Sequence, residues 1–230
     1  TGRDPSRRAG VGYGPGGGYG PCASPQSYGG LTDSSHTFSV KARDAAGNTS
    51  AAISYTWLVD TAAPPAPTIS SRPGDPSNSP AASFSFTDTK PGVSFLCALD
   101  TPTFSACASP HSYSTLGDGG HIFSVEAQDS SGNTSDATSY TWTIDTTAPP
   151  PPTIDSGPPP SSATSDASFS FSDTEPGVTF ICDLDGAGYG PCSSPLGYDG
   201  LGTGDHTFSL KAVDALNNAS VAATYTWTVT

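Results

Sequence analysis

Large apolar residues fall at every second position in short runs along most of this chain. Phe84 and Phe86 alternate with Ser83, Ser85 and Thr87. Val93, Phe95, Cys97 and Leu99 alternate in the next segment, Phe123, Val125 and Ala127 in a later one, and Tyr140, Trp142 and Ile144 close the series. A period of two marks a half-buried strand, because successive side chains of a strand point to opposite faces. Gly, Pro, Asp and Asn separate the runs, as turn residues do. The pattern predicts about seven short strands in succession, all β and without helix.

The same pattern returns at a fixed distance. Trp57, Trp142 and Trp227 are 85 residues apart, and so are His36, His121 and His206, Cys22, Cys107 and Cys192, Tyr28, Tyr113 and Tyr198, and the pair Cys97 and Cys182. An equal period without insertions makes each repeat one structural unit. Two full units, residues 64–145 and 149–230, follow a partial one over residues 1–60. Seven alternating strands per unit predict tandem antiparallel sandwiches of immunoglobulin-like type, with a small barrel as the lesser alternative. Residues 44–48 (DAAGN) and 129–133 (DSSGN) fall between the last two strands of their units. In the third unit Asn217 stands at the Gly position, and Asn is the next most tolerant residue of positive φ, so this hairpin is expected to need a left-handed residue there. Residues 60–65 (DTAAPP) and 145–152 (DTTAPPPP) join the units, and proline runs of this kind favour stiff, extended spacers. A string of such units reads as a rod.

Composition narrows the function classes. Asp and Glu number 21 against 8 Lys and Arg, for a net charge of −13, and only Glu126 and Glu175 among the acids are Glu. Asp belongs in turns, caps and calcium sites. The 26 Gly and 23 Pro exclude a long-helix protein. The acidic balance argues against nucleic-acid and anionic-membrane partners, which need a basic patch. No stretch reaches the roughly 18 apolar residues of a membrane helix, so no membrane insertion is expected within this chain. With no Met and Thr at position 1, the chain reads as a processed or excised piece of something longer.

Cys97 and Cys107, like Cys182 and Cys192, are ten residues apart on neighbouring strand segments, and each pair is expected to form one disulfide per unit. That implies an oxidising compartment. A zinc site is disfavoured, since no CxxC or paired His accompanies the thiols. Cys22 is expected to be unpaired, because its partner position is Gly12. Residues 1–15 do not match the second unit's stretch PGVSFLCALD, and the match resumes at Gly16, with GYGPC at 18–22 and 188–192. The first unit is therefore expected to lack its A and B strands, the first two of a unit, either by starting mid-domain or because this N-terminus is not the native coding sequence. Its open edge could accept a strand from another chain.

The run from Phe180, Cys182, Leu184 and Asp185 through Gly204, His206 and Phe208 to Tyr225 and Trp227, with the linker pattern D-T-x-A-P, resembles bacterial immunoglobulin-like repeats of large secreted and surface proteins. The likeness covers nearly everything from Gly16 to Thr230. It implies an extracellular or cell-surface sandwich array used as a stalk, adhesin body or accessory module, with no catalytic activity. Departures are the degenerate start, Asn217, and Thr230 where an Asp would follow the last strand. The resemblance also raises calcium at the junctions, held by Asp60 and Asp145 with Asp44 and Asp129 in the hairpins. The alternative for these four is that they form Asx-turns and strand ends.

Other candidates are weaker. The three periodic His share parity with Phe38, Phe123 and Phe208 and are expected at a core margin as hydrogen-bond donors rather than catalysts. No GxSxG elbow or HExxH motif occurs, and the GxGxxG match at 12–17 lacks a helix after it, so no enzyme is expected. Tyr13, Tyr19 and Tyr189 in Gly-rich loops are candidate glycan contacts, with Tyr19 and Tyr189 foremost. Asn48 and Asn133 fit a glycosylation sequon, although the hairpin explains the same residues. The expected partners are neighbouring repeats, copies of the chain itself, or a surface glycan.

Overall fold

The computed structural model describes the backbone of residues 9–14, and residues 18–230 in full. The first unit contributes β1 (Ala9–Gly14), β2 (Gly18–Cys22), β3 (Ser34–Arg43) and β4 (Ile53–Val59). The second contributes β5 (Thr68–Ser71), β6 (Ala82–Thr87), β7 (Ser94–Leu99), β8 (Ser105–Cys107), β9 (His111–Tyr113), β10 (Gly119–Gln128) and β11 (Thr138–Ile144). In the third lie β12 (Thr153–Ser156), β13 (Ser161–Ser162), β14 (Ala167–Ser172), β15 (Thr179–Leu184), β16 (Gly190–Cys192), β17 (Leu196–Tyr198), β18 (Gly204–Val213) and β19 (Ala223–Val229). The described residues contain no helix.

In the second unit a three-stranded sheet, β5-β6-β9, faces a four-stranded one, β11-β10-β7-β8. The third repeats this as β12-β14-β17 against β19-β18-β15-β16, with short β13 added in parallel at the edge of β19. An immunoglobulin constant domain adds its fourth strand to the sheet of the first. Here β8 and β16 pair instead with β7 and β15. The disulfides Cys97–Cys107 and Cys182–Cys192 therefore join neighbouring strands of one sheet rather than bridging the two sheets. Cys22 is free.

The inward face of each strand follows from the alternation. Phe84, Phe123, Val125 and Trp142 are at most 2% exposed and form one core with Phe86 and Ile144; Phe169, Phe208, Leu210 and Trp227 form its counterpart. Phe84 stacks on Phe123 with centroids 4.0 Å apart and meets Trp142 edge-on at 5.2 Å; Phe169 does the same with Phe208 at 4.2 Å and Trp227 at 5.3 Å. Each such ring contributes roughly 1.5–3 kcal/mol on burial.

The first unit begins, among the described residues, with a strand that the apolar pattern does not mark. The Gly-rich stretch 9–14 has no alternation of large apolar residues, yet β1 holds the place of β7. Gly10 lies opposite Cys22 as Phe95 lies opposite Cys107, and the strand pairs with both β2 and β3. Backbone hydrogen bonding needs no side chain, so this strand forms without the apolar signal that marks its counterparts. Residues 1–8 and 15–17, and the side chain of Tyr13, lie outside what is described.

Candidate functional site: the joints between units

Each hairpin is organised by one Asp. In the second unit Asp129 Oδ1 accepts the N–H groups of Ser131 and Asn133, both at 2.9 Å, while Oδ2 accepts Asn133 Nδ2 at 3.1 Å. Asp44 and Asp214 repeat the arrangement with Asn48 and Asn218. The turn places Gly47, Gly132 and Asn217 at φ of 95°, 89° and 66°, the left-handed region expected from the Gly-to-Asn exchange. Asn48 and Asn133, the sequon positions, have their amides engaged in these hairpins.

The hairpins also reach the preceding unit. Asn133 Nδ2 donates to the carbonyl of Asp60 at 3.0 Å, and Asn218 Nδ2 to that of Asp145 at 3.0 Å. The linkers are fixed along their length. Asp33 Oδ1 accepts Thr61 N–H and Oγ1–H; Asp118 Oδ1 accepts the same two donors of Thr146, and its Oδ2 accepts Thr147 Oγ1. Pro64, Pro67, Pro149 and Pro152 are buried. Asn78 Nδ2 adds a bond of 2.7 Å to the carbonyl of Leu216 across the second joint.

Of the four Asp proposed from sequence for calcium, the structure brings Asp60 and Asp129 together, but around a lysine. Lys90 Nζ lies 2.8 Å from Asp129 Oδ2 and 3.6 Å from Asp60 Oδ2, and 3.5 Å from the Ala62 carbonyl. The Lys90 ammonium and the Asn133 amide hold Asp129 well below the usual carboxylate range, and Asp129 raises the Lys90 pKa in return. These residues do not fit a calcium ion: both Asp129 oxygens already accept hydrogen bonds, and an ammonium stands where the metal would sit. Asp44 is committed to its own hairpin, and Asp60 and Asp145 accept the N–H groups of Ala62 and Thr147, as Asx-turns do. Among the described residues no three His, Cys, Asp or Glu side chains converge on one metal position.

The periodic His residues sit at the core margin. His121 Nδ1 is 2.7 Å from Asp100 Oδ2 and its Nε2 is 2.8 Å from the Gly117 carbonyl; His206 repeats this with Asp185 and Gly202. Both partners are acceptors, so the arrangement favours the imidazolium form, in which both ring nitrogens donate. Asp100, followed by the Gly117 carbonyl, raises the His121 pKa; the Gly202 carbonyl, followed by Asp185, raises that of His206. The stability these pairs contribute is therefore full below the ordinary His value of about 6.5 and is lost as pH rises through the raised native value. An Asp100→Asn variant is expected to lower the His121 pKa in an NMR titration and to flatten the second unit's loss of stability above neutral pH; an unchanged titration counts against the pair.

The two glycan candidates each face a lysine. Lys41 Nζ lies 4.6 Å from the Tyr19 ring centroid and Lys211 Nζ 4.7 Å from that of Tyr189, both rings being 42% exposed. In the second unit the corresponding positions carry Phe104 and Glu126, so ring and cation change together.

No protein-family model matches the chain, and no curated protein matches it. Among solved structures it is similar to the fibronectin(III)-like modules of Clostridium thermocellum CbhA, at 17% identity over 71% of this chain and 93% of that one, TM-score 0.45. It is also similar to the FN1–FN3 domains of chicken CNTN1, at 13% identity over 85% and 75%, TM-score 0.42. A 1.5-MDa bacterial ice-binding adhesin matches at 18% identity over 86% and 74%, TM-score 0.41. Likenesses of this size carry no argument about function. The sandwich assignment rests on the strand order and register given above.

Proposed function

We propose that the chain is a non-enzymatic spacer segment of an extracellular bacterial surface protein, whose work is to hold its two ends apart. The observation that carries this reading is the repeated clamp by which the Asn of one unit's hairpin binds the carbonyl that ends the preceding unit, at Asn133–Asp60 and again at Asn218–Asp145. Side chains committed to the relation between units are what a spacer needs and an isolated domain does not. The intra-unit disulfides support an oxidising location. His121 and His206, each bonded on both ring nitrogens, support a structural role for the one side chain that titrates near neutrality.

The test is the distance between spin labels on noncanonical residues at the exposed positions Thr141 and Thr226, at physiological salt. An Asn218→Ala chain is expected to give a broader distribution than the parent, with the melting of the second unit unchanged. Identical distributions would remove the clamp from the account.

A second reading, assembly between chains, is favoured by the first unit. The inner face of its sheet carries Phe38, Val40, Tyr55 and Trp57, and among the described residues no three-stranded sheet packs on it. Tyr55 is 69% and Ile53 76% exposed there, whereas the corresponding Tyr140 packs against the second unit's core. A strand with the Phe–Ser alternation of β6 or β14 has the shape to complete it.

A further inference from the structure

The two joints have the same backbone plan and opposite electrostatics. At the first, the carboxylates of Asp60 and Asp129 share the Lys90 ammonium, which comes from the loop after β6. At the second, Asp145 and Asp214 occupy the corresponding positions, but position 175, in the loop after β14, is Glu where the second unit has Lys90. Asp145, Glu175 and Asp214 line one cleft of about 370 Å³, walled on one side by Pro76 and Thr143 of the second unit and on the other by residues 175–178 and 214–216 of the third. The first joint thus has a cation between its carboxylates, and the second has three acidic residues and no cation lining its cleft.

We infer that the second joint is an ionic-strength-dependent hinge, loosened in dilute salt by repulsion between Asp145 at the end of the second unit and Glu175 with Asp214 on the third, while at the first joint Lys90 replaces that repulsion with attraction to Asp60. The neutral bonds Asn218–Asp145 and Asn78–Leu216 are present at the second joint and set its closed geometry. Charges of one sign across a solvent-filled cleft repel over a Debye length, which is about 30 Å at 0.01 M salt and about 3 Å at 1 M. The repulsion therefore acts in dilute salt and disappears in concentrated salt, and the neutral bonds then decide the angle. Across the first joint the ion pair is Lys90–Asp60, 3.6 Å apart with both side chains partly exposed, so salt screens an attraction there and a repulsion at the second joint, and the two responses differ in sign. The inference concerns the charges alone and does not depend on where the protein works.

The experiment compares label distances across the first joint (Thr56 to Thr141) and the second (Thr141 to Thr226) in a Cys22→Ser chain, between about 0.01 M and 0.5 M NaCl. The second distance distribution is expected to be roughly twofold broader in dilute salt and to narrow as salt rises, while the first does not narrow. Glu175→Gln is expected to reduce the salt response of the second joint and Glu175→Lys to abolish it, and the reciprocal Lys90→Glu to confer narrowing with salt on the first joint. Glu175→Gln alters charge with little change of size, which separates repulsion from misfolding. Equal salt responses at the two joints, or a second joint whose response is undiminished in Glu175→Gln, would overturn the inference.

Discussion

Replacing Phe84 by Ala is expected to cost the second unit about 3–5 kcal/mol, the usual range for removing a buried Phe. The ring is fully buried between Phe123 and Trp142, and its neighbours come from both sheets, so the space it leaves is not refilled by a local shift. A domain of this size has roughly 0.05–0.15 kcal/mol of stability per residue, so the loss takes a large share of the total. The second and third cores share no residue, and the effect should stay where it is made. Thermal unfolding followed by calorimetry is expected to show an early transition for the second unit and an unmoved one for the third. A single transition displaced as a whole would mean that the joints couple the units more strongly than the side-chain clamps account for. Phe169→Ala should give the mirror-image result.

The next largest effect is expected from the staples. Closing a loop of about ten residues stabilises by roughly 2.5–3 kcal/mol on the chain-entropy account. The double variant Cys97→Ala with Cys107→Ala should lower the second unit's urea midpoint by an amount of that order. Alanine is the better replacement because Cys97 is 3% exposed, and a Ser hydroxyl there would be buried without an assured partner. Reduction of the native chain should destabilise the second and third units alike and leave the first unaffected, since Cys22 has no intrachain bond to lose. An unchanged midpoint in the double variant would show that the two strands are held by the ladder β7–β8 alone.

Much of this architecture is legible in the residues. The two-residue period gives the strands, the parity of Phe84, Phe123 and Trp142 gives the core, and Asn217 in place of Gly gives the left-handed turn position. Three things are not legible, for physical reasons. Strand β1 is built from AGVGYG, and small residues that pair through the backbone leave no hydrophobic pattern. The Asp100–His121 pair requires knowing that Leu99 lies opposite Phe123, a register that only the sheet supplies. Lys90 is passed over because a search for repeated residues discards the one that is not repeated. Its partner Asp129 is 39 residues away in sequence, and Glu175 stands at its place in the next unit. The charge that separates the two joints therefore lies at a position where the repeat departs from itself.

The spacer account is tested most directly by small-angle X-ray scattering with in-line light scattering on the intact chain at physiological salt. It expects a 23.2 kDa monomer whose longest internal distance matches units set end to end, with a scattering profile that one fixed arrangement fits. A profile that fits only an ensemble of freely jointed units would contradict it, and a mass that doubles with concentration would transfer the role to the open face of the first sheet.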